Sequence, residues 1–341
     1  MKIKSLLLGS AAALMAVTGA QAADAVIVEA EPVEYVRICD AYGAGFFYIP
    51  GTETCLRFSG YVRVTYRGRH YHEGDTTLPT PTHRHRIRYR GRLNIDARNE
   101  TDWGTLRSQL RIQGDGRGGA DANAVIDRAL ISLGGLRLGY SDTFFTTHHG
   151  YGWQYAANDG YYDYDQAVFL DYTFQANGFS ATVGVQDSTS VAAVPTGADA
   201  YDPYAGVSYA ASWGRVAGSV LYDSSADELA WKASVNIKAI ENLGINAWYM
   251  ADSGGTRYVR GGFGSIALST AIEWQWGVDL SYKVNSQFTV WAGYTDADAV
   301  DAGIFAVGAH WNPISGLSIR PEALFGENDF TQVRLRVVRS F

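Results

Sequence analysis

Long apolar runs are absent from this sequence after its first 22 residues, and none approaches the ~20 residues that a helix needs to span a bilayer. A helical membrane protein is therefore excluded. Lysine is also scarce, with five residues against 23 arginines, and Lys232, Lys238 and Lys283 lie far from the arginine-rich segments. Because arginine stays ionised even beside other arginines, the sequence predicts a permanent array of positive charge.

Positive charge is nevertheless not in excess, because the formal net charge is −7. The bases concentrate on one face of alternating segments rather than on an exposed helix or loop, which argues against a nucleic-acid partner. An enzyme built on a membrane barrel is one class of protein to consider. It is not favoured, because no serine has the strand–turn–helix context of a nucleophile elbow. His85 and His310 are the histidines on predicted strands, and neither can be placed beside a serine. We predict no enzyme activity and no cofactor.

Two cysteines, Cys39 and Cys55, precede the first predicted strand. An exported chain favours a disulfide, and these two residues allow a single intramolecular pairing. A metal pair is the alternative, but no histidine lies nearby to complete a site. The histidines that bracket the first predicted loop are interpreted as surface residues rather than metal ligands: His70, His72, His83 and His85.

The chain begins with the pattern of a secretory signal peptide. Lys2 and Lys4 precede an apolar run, and residues 20–22 form an A-x-A cleavage site. We therefore expect a signal peptide at residues 1–22. The alternating segments of the later residues predict a barrel at 56–341, and residues 23–55 form a pre-barrel segment with the cysteine loop. The pre-barrel segment would lie at the periplasmic mouth or inside the lumen, and the sequence leaves both open.

Residues 84–98 divide into two chemically different faces. Every even position is charged or amide-bearing, and from residue 87 onward every odd position is apolar, aromatic or glycine. Because successive side chains of a strand point to opposite faces, one face is apolar and the other is densely cationic. A transmembrane barrel strand needs this division, with lipid outside and water inside. The pattern predicts a pore.

Segments of about ten residues with the same period recur along the chain and predict an all-β, antiparallel, sixteen-stranded transmembrane barrel. They are 56–67, 85–98, 103–113, 124–133, 135–141, 165–175, 178–187, 203–212, 214–223, 228–239, 243–251, 270–284, 287–296, 303–311, 316–326 and 330–341. Connections after odd-numbered segments are mostly long and the others are short, as outer loops and periplasmic turns are. Two connections, near 224–227 and 327–329, are shorter than this rule expects.

The last segment ends on Phe341. A terminal aromatic on an amphipathic strand resembles the signal that the barrel-insertion machinery of the outer membrane reads. Together with the signal peptide, it predicts export to the Gram-negative outer membrane, where lipids and lipopolysaccharide surround the barrel.

Three stretches make the chain similar to the general porins of alphaproteobacteria: the cysteine-flanked block 39–63, residues 137–145 and residues 336–341. The similarity covers essentially the whole chain after the signal peptide. This resemblance implies a homotrimer of sixteen-stranded barrels and passive diffusion of small hydrophilic solutes. It also implies a third outer loop that folds inward and narrows the pore.

A basic wall and an acidic loop are expected to face each other across this pore. The third long connection, 142–164, is rich in aromatics, which indicates packing against a wall. Its acids, with one residue just beyond it, are Asp159, Asp163 and Asp165. The basic wall is predicted on the water-facing side of the first strands and the last one: Arg57, Arg63, Arg67, Arg86, Arg88, Arg90, Arg92, Arg107, Arg111, Arg128, Arg334 and Arg336. Opposed charges would create a transverse field that favours polar solutes.

Two other functions stay open at this point. A channel selective for a sugar or an anion would use Tyr161, Tyr162 and Tyr164 as a stacking surface. A structural or adhesive barrel would lack conductance.

Overall fold

The computed structural model describes residues 36–71, 83–118, 120–150, 152–156, 165–187, 201–254, 256, 258–259, 262–263, 266–267, 272–298, 303–327 and 330–341. The chain divides into two compact units, residues 1–37 and residues 38–341. The expected signal peptide, residues 1–22, lies outside the described residues, as do residues 23–35. In the first unit the described residues are Val36 and Arg37, both exposed. All the elements below belong to the second unit.

Period-two segments rich in β-branched and aromatic residues form sixteen long strands within the described residues. They are β1 (Cys55–Tyr71), β2 (His83–Asn99), β3 (Leu106–Arg117), β4 (Ala120–Leu133), β5 (Leu136–Asp142), β6 (Gln166–Ala176), β7 (Phe179–Asp187), β8 (Tyr201–Ala211), β9 (Gly214–Asp223), β10 (Glu228–Ile240), β11 (Leu243–Asp252), β12 (Trp274–Lys283), β13 (Phe288–Ala297), β14 (Ile304–Ile314), β15 (Leu317–Gly326) and β16 (Phe330–Ser340). The helix α1 (Phe144–Thr147) follows β5, and two-residue strands lie at Phe47–Tyr48, Gly262–Phe263 and Ile266–Ala267.

Each long strand pairs antiparallel with its neighbours in sequence, and β16 pairs with β1. This last ladder runs from Phe330 opposite Tyr71 to Ser340 opposite Tyr61 and closes the sheet on itself. The predicted sixteen-stranded antiparallel barrel is therefore confirmed. Among the described residues, no helix is both long and apolar enough to cross a membrane.

The two ends of the barrel differ in their connections. Two-residue turns at 134–135, 177–178, 212–213, 241–242 and 315–316 lie at one end, which we call the short-turn end. Several of these turns need a positive φ, which Gly134, Asn177 and Asn242 supply. The opposite end, which we call the long-loop end, holds the connections after odd-numbered strands. The segment 224–227 at that end is a tight turn, as its length in the sequence indicates.

The strands near the start of the barrel are longer than the sequence predicts. β1 reaches Tyr71, and β3 and β4 together occupy most of the predicted loop 114–123. The ladder continues there because Arg90 on β2 lies opposite Asp115 on β3, and cross-strand pairs of opposite charge stabilise a sheet. In contrast, β12 begins at Trp274, four residues later than predicted.

The cysteine loop packs on the inward face at the short-turn end. Cys39 and Cys55 form the predicted disulfide, with their Cα atoms 5.9 Å apart. Phe46 is buried, and the guanidinium groups of Arg57 and Arg98 stack over its ring at 4.6 and 4.9 Å. The described part of the pre-barrel segment thus contacts inward-facing side chains of β1 and β2.

Removal of the disulfide should destabilise the protein without changing the barrel. The bridge closes a loop with a sequence separation of 16, which is worth about 3 kcal/mol on the chain-entropy estimate. We expect Cys39→Ala/Cys55→Ala to lose about that much free energy of unfolding in guanidinium titrations of the detergent-solubilised protein. A reductant should lower the stability of the parent and leave the double variant unchanged. Equal sensitivity of both proteins to reductant would contradict the assignment.

Candidate functional site

The outward face of the barrel is predominantly apolar. Val62, Val64 and Ile87 are exposed there, between the inward-facing residues of β1 and β2. Exposed aromatic side chains form a girdle near the short-turn end: Trp103, Phe174, Phe179, Tyr209, Trp213, Tyr282, Trp311 and Phe341. A second girdle lies toward the long-loop end: Tyr66, Tyr89, Tyr201, Trp231, Tyr249, Phe305 and Phe325. On β8, Tyr201 and Tyr209 are roughly 26 Å apart along an extended strand, which matches the apolar band of a membrane barrel.

All twelve arginines predicted for the basic wall have side chains on the inward face of β16 and β1–β4. The register sets these side chains on a common face, as where Arg67 lies directly between Arg86 on β2 and Arg334 on β16. This face is the inward one, because it alternates with exposed apolar residues such as Val64, Ile87 and Leu335. Arg63 likewise lies opposite Arg90. We use the name basic wall for these twelve residues below: Arg57, Arg63, Arg67, Arg86, Arg88, Arg90, Arg92, Arg107, Arg111, Arg128, Arg334 and Arg336.

Carboxylates lie within the basic wall, at positions that were not predicted as site residues from the sequence. Asp96 is almost fully buried and accepts hydrogen bonds from Arg98 and Arg107, with Nη2–Oδ2 distances of 2.7 Å to both. The other ion pairs of the wall join Arg57 to Asp96 at 3.5 Å, Arg63 and Arg90 to Asp115 at 3.8 and 2.6 Å, Arg92 and Arg111 to Asp127 at 3.4 and 3.1 Å, Arg111 and Arg128 to Asp142 at 3.6 Å, and Arg334 to Glu322 at 2.8 Å.

The period-two pattern contains a signal that could have identified some of these carboxylates. Asp96 occupies an even position in the alternating run 84–98 and therefore shares its face with the arginines. The period-two pattern does not indicate Asp127, because a bulge between Arg111 and Ile112 shifts the register of β3 against β4.

Polar contacts fix the connection after β5 against the opposite part of the inner wall. We call its described residues, 143–150 and 152–156, the docked segment. Lys232 on β10 donates a hydrogen bond to the Phe145 carbonyl at 3.0 Å. His149 contacts the hydroxyls of Ser219 and Ser234 at 2.7 and 2.8 Å.

Further along the docked segment, the polar contacts move from β9 and β10 to β11 and β12. The Asn246 side chain donates to the Gly152 carbonyl at 2.7 Å. The Gln154 backbone N–H donates to the Asp279 carboxylate at 3.2 Å. The docked segment is therefore held by four neighbouring strands.

Aromatic side chains complete the packing of the docked segment. The Phe144 ring stacks on Tyr204 with a centroid distance of 4.8 Å, and Trp153 packs on Trp291 at 5.7 Å. Glycine on the wall makes room for Trp153, because a Cβ atom at Gly293 would lie 2.7 Å from its ring nitrogen. These residues belong to one buried apolar cluster inside the barrel.

Of the three predicted loop acids, the described residues include Asp165. Asp159 and Asp163 lie outside the described residues, as do His72 and the predicted stacking residues Tyr161, Tyr162 and Tyr164. Asp165 lies at the neck of the connection, where its carbonyl accepts a hydrogen bond from Thr143 and its carboxylate accepts one from the Gln166 N–H.

The other predicted features are placed as follows. His85 contacts the Tyr66 hydroxyl at 2.7 Å on the outward face. Within the described ranges, no group of three or more metal-binding side chains comes together. Phe341 exchanges backbone hydrogen bonds with Gly60 on β1, and its ring is exposed.

A closed antiparallel barrel with an apolar outside, two aromatic girdles and a charged interior defines the class of transmembrane β-barrel channels. Residues 24–338 match the model of the Porin subfamily. The chain is 35% identical over 354 residues to Porin Omp2b of Brucella neotomae, covering 95% of this chain and 92% of that protein. It is 37% identical over 359 residues to Porin Omp2b of Brucella suis biovar 1, with the same two coverages.

Solved structures show the same fold. A triple mutant of Rhodopseudomonas blastica porin superposes with a TM-score of 0.59 at 17% sequence identity, covering 84% of this chain and all of that chain. The family match over residues 24–338 and the relatives at 35% and 37% identity show that the chain belongs to the porin family. It is an outer-membrane porin, a channel in the outer membrane of a Gram-negative cell.

A larger side chain at Gly293 should displace the docked segment. We expect Gly293→Val to weaken the docking of the segment by about 1–3 kcal/mol, because the new side-chain atoms would occupy the space of Trp153. Hydrogen exchange of the docked-segment amides should accelerate accordingly. Gly91→Val is the matched control, because a Cβ atom at Gly91 has no neighbour within 4 Å. Unchanged exchange in Gly293→Val would show that the contact does not hold the segment.

Acidification should weaken the docking as well. Burial lowers the pKa of His149 below its ordinary 6.5, and the charge of Lys232 lowers it further. An undocked His149 takes up a proton as the pH falls through 6.5 while the docked side chain stays neutral, so docking loses stability below that pH. The loss is about 1.4 kcal/mol per pH unit until the docked pKa is reached.

Hydrogen exchange measures this effect when protection factors are compared at pH 7.5 and 5. His149→Gln is the matched variant, since an amide side chain can still bond Ser219 and Ser234 but does not titrate. We expect most of the pH dependence to disappear in the variant. Equal pH dependence in both proteins would assign the effect to another group.

Proposed function

We propose that the porin is a passive, water-filled channel for small hydrophilic solutes and ions. The observation that carries this proposal is the asymmetry of the inner surface. The docked segment covers the inner face of β8–β13, whereas the arginines of the basic wall and their carboxylate partners lie on β15, β16 and β1–β5. The space between these two surfaces is the path for solutes.

The chemistry of the wall supports selection by polarity and size. Charged side chains on a low-dielectric wall order water and hold an electric field across the lumen. Polar and charged solutes align in that field, while apolar solutes lose hydration without gaining contacts. The field has its basic side on the wall defined above, and the loop acids Asp159 and Asp163 are proposed for the other side.

No catalytic step is proposed, and the protein would need no cofactor. We propose a homotrimer in contact with outer-membrane lipids and lipopolysaccharide. The apolar outward face between the two aromatic girdles supports a lipid environment. We also propose that the barrel-insertion machinery reads the terminal strand, because the exposed Phe341 ends a strand that closes the barrel.

Single-channel recording in a planar bilayer tests this function. Purified native oligomer should open in large ohmic steps, grouped in threes for a trimer, and a salt gradient should give the sign of the ion preference. Heat-denatured protein in the same detergent is the control for leakage. Absent or very small currents from folded protein would contradict the diffusion channel and favour a structural barrel.

A further inference from the structure

Basic side chains surround a small cavity on the inner wall where β16, β1 and β2 meet. The cavity measures about 120 Å³ and opens to the lumen. The groups that surround it are Arg63, Thr65, Arg67, Arg88, Arg334 and Arg336, with Tyr89, Arg90 and Asp115 completing the lining. These arginines are predicted from the sequence as parts of a wall and not as a cluster around one point.

The cross-strand register sets these charges side by side. Arg67 is directly opposite Arg86 and Arg334, and the next row toward the short-turn end sets Thr65 between Arg88 and Arg336. Like charges in directly opposed positions destabilise a sheet. An anion from the aqueous lumen would offset this repulsion.

Carboxylates of the chain neutralise a part of the cluster. Glu322 pairs with Arg334 at 2.8 Å, and Asp115 lies 2.6 Å from Arg90 and 3.8 Å from Arg63. Arg67 and Arg88 have no carboxylate within ion-pair distance among the residues that the structure describes.

The same holds for Arg336, which contacts the neutral side chain of Thr65. Its Nε donates to the Thr65 hydroxyl at 3.3 Å, which orients the guanidinium along the wall. Three guanidinium groups, from Arg67, Arg88 and Arg336, therefore leave about three positive charges at the cavity without a carboxylate from the described chain.

Guanidinium groups bind oxyanions through paired N–H donors in a planar fork. A tetrahedral oxyanion with two or more charges offers several oxygens to donors arriving from different strands, which a halide ion does not. Lipid phosphates are not expected at this place, because these side chains alternate with the outward Val64 and Tyr66 and so face the lumen.

We propose that this cavity is a binding site for multivalent, phosphate-type oxyanions that enter from the aqueous lumen. This inference deepens the proposed channel function and rests on it for the access of the anion. Arg84 and Arg86 continue the inward face of β2 toward the long-loop end and form the approach to the site. The porin would thus concentrate such anions beside its wall and pass them on.

Isothermal titration calorimetry tests binding independently of conduction. Inorganic pyrophosphate is titrated into the native oligomer in a non-ionic detergent and a phosphate-free buffer. The parent should bind saturably, and Arg67→Gln and Arg336→Gln should each weaken binding about tenfold, the effect of losing one charge-assisted hydrogen bond. Arg98→Gln is the matched control, because it removes one inward charge whose partner Asp96 keeps Arg107. The control should bind like the parent.

Bilayer recordings then separate this inference from the channel function. Pyrophosphate added to a constant potassium chloride bath should reduce the chloride current saturably in the parent and in Arg98→Gln, and much less in the two cluster variants. Conduction without binding by the parent would overturn the anion site and leave the channel. Binding without conduction would overturn the channel and leave the site. Equal loss in all three variants would reduce the effect to general screening and also overturn the site.

Discussion

Closure of the sheet by the pairing of β16 with β1 is the constraint on which the rest of the molecule depends. Hydrocarbon offers no hydrogen-bond partner, so an unpaired strand edge inside a membrane costs several kcal/mol per group. The ladder between Tyr61–Tyr71 and 330–340 removes the last edge. Phe341 extends it by one exchanged pair with Gly60, a position where any side chain would meet the Phe341 ring.

Closure also creates an interior, and the inner wall of this barrel has two kinds of surface, one apolar and one charged. On one part of the wall, small residues such as Gly293 and Gly206 leave room for the aromatic rings of the docked segment. These rings form an apolar cluster like the core of a soluble domain, but it lies inside the barrel. Lys232 is buried at its edge, and its ammonium group lies over the Phe145 ring at 4.4 Å, which keeps the charge compensated.

The fold was accessible from the sequence because the barrel is built on a local rule. Alternation assigns each side chain to a face, so the strands and the inward direction of Arg86 or Arg334 follow from neighbouring residues alone. Alternation does not say which partner a side chain meets. The contact between His149 and Ser219 joins residues 70 positions apart, and the bulge that brings Asp127 to Arg111 breaks the period itself. Those features depend on register and packing, which no short window contains.

The position of the carboxylates along the basic wall makes its field uneven. Near the short-turn end, Asp96 neutralises arginines from three strands, and Asp127 and Asp142 serve the next rows. Toward the long-loop end the rows through Thr65 and Arg67 contain more guanidinium groups than carboxylates, with Glu322 as the acid beside them. Among the described residues, the surplus of positive charge is therefore larger toward the long-loop end of the wall than toward its short-turn end, because the acids that neutralise several arginines at once lie near the short turns.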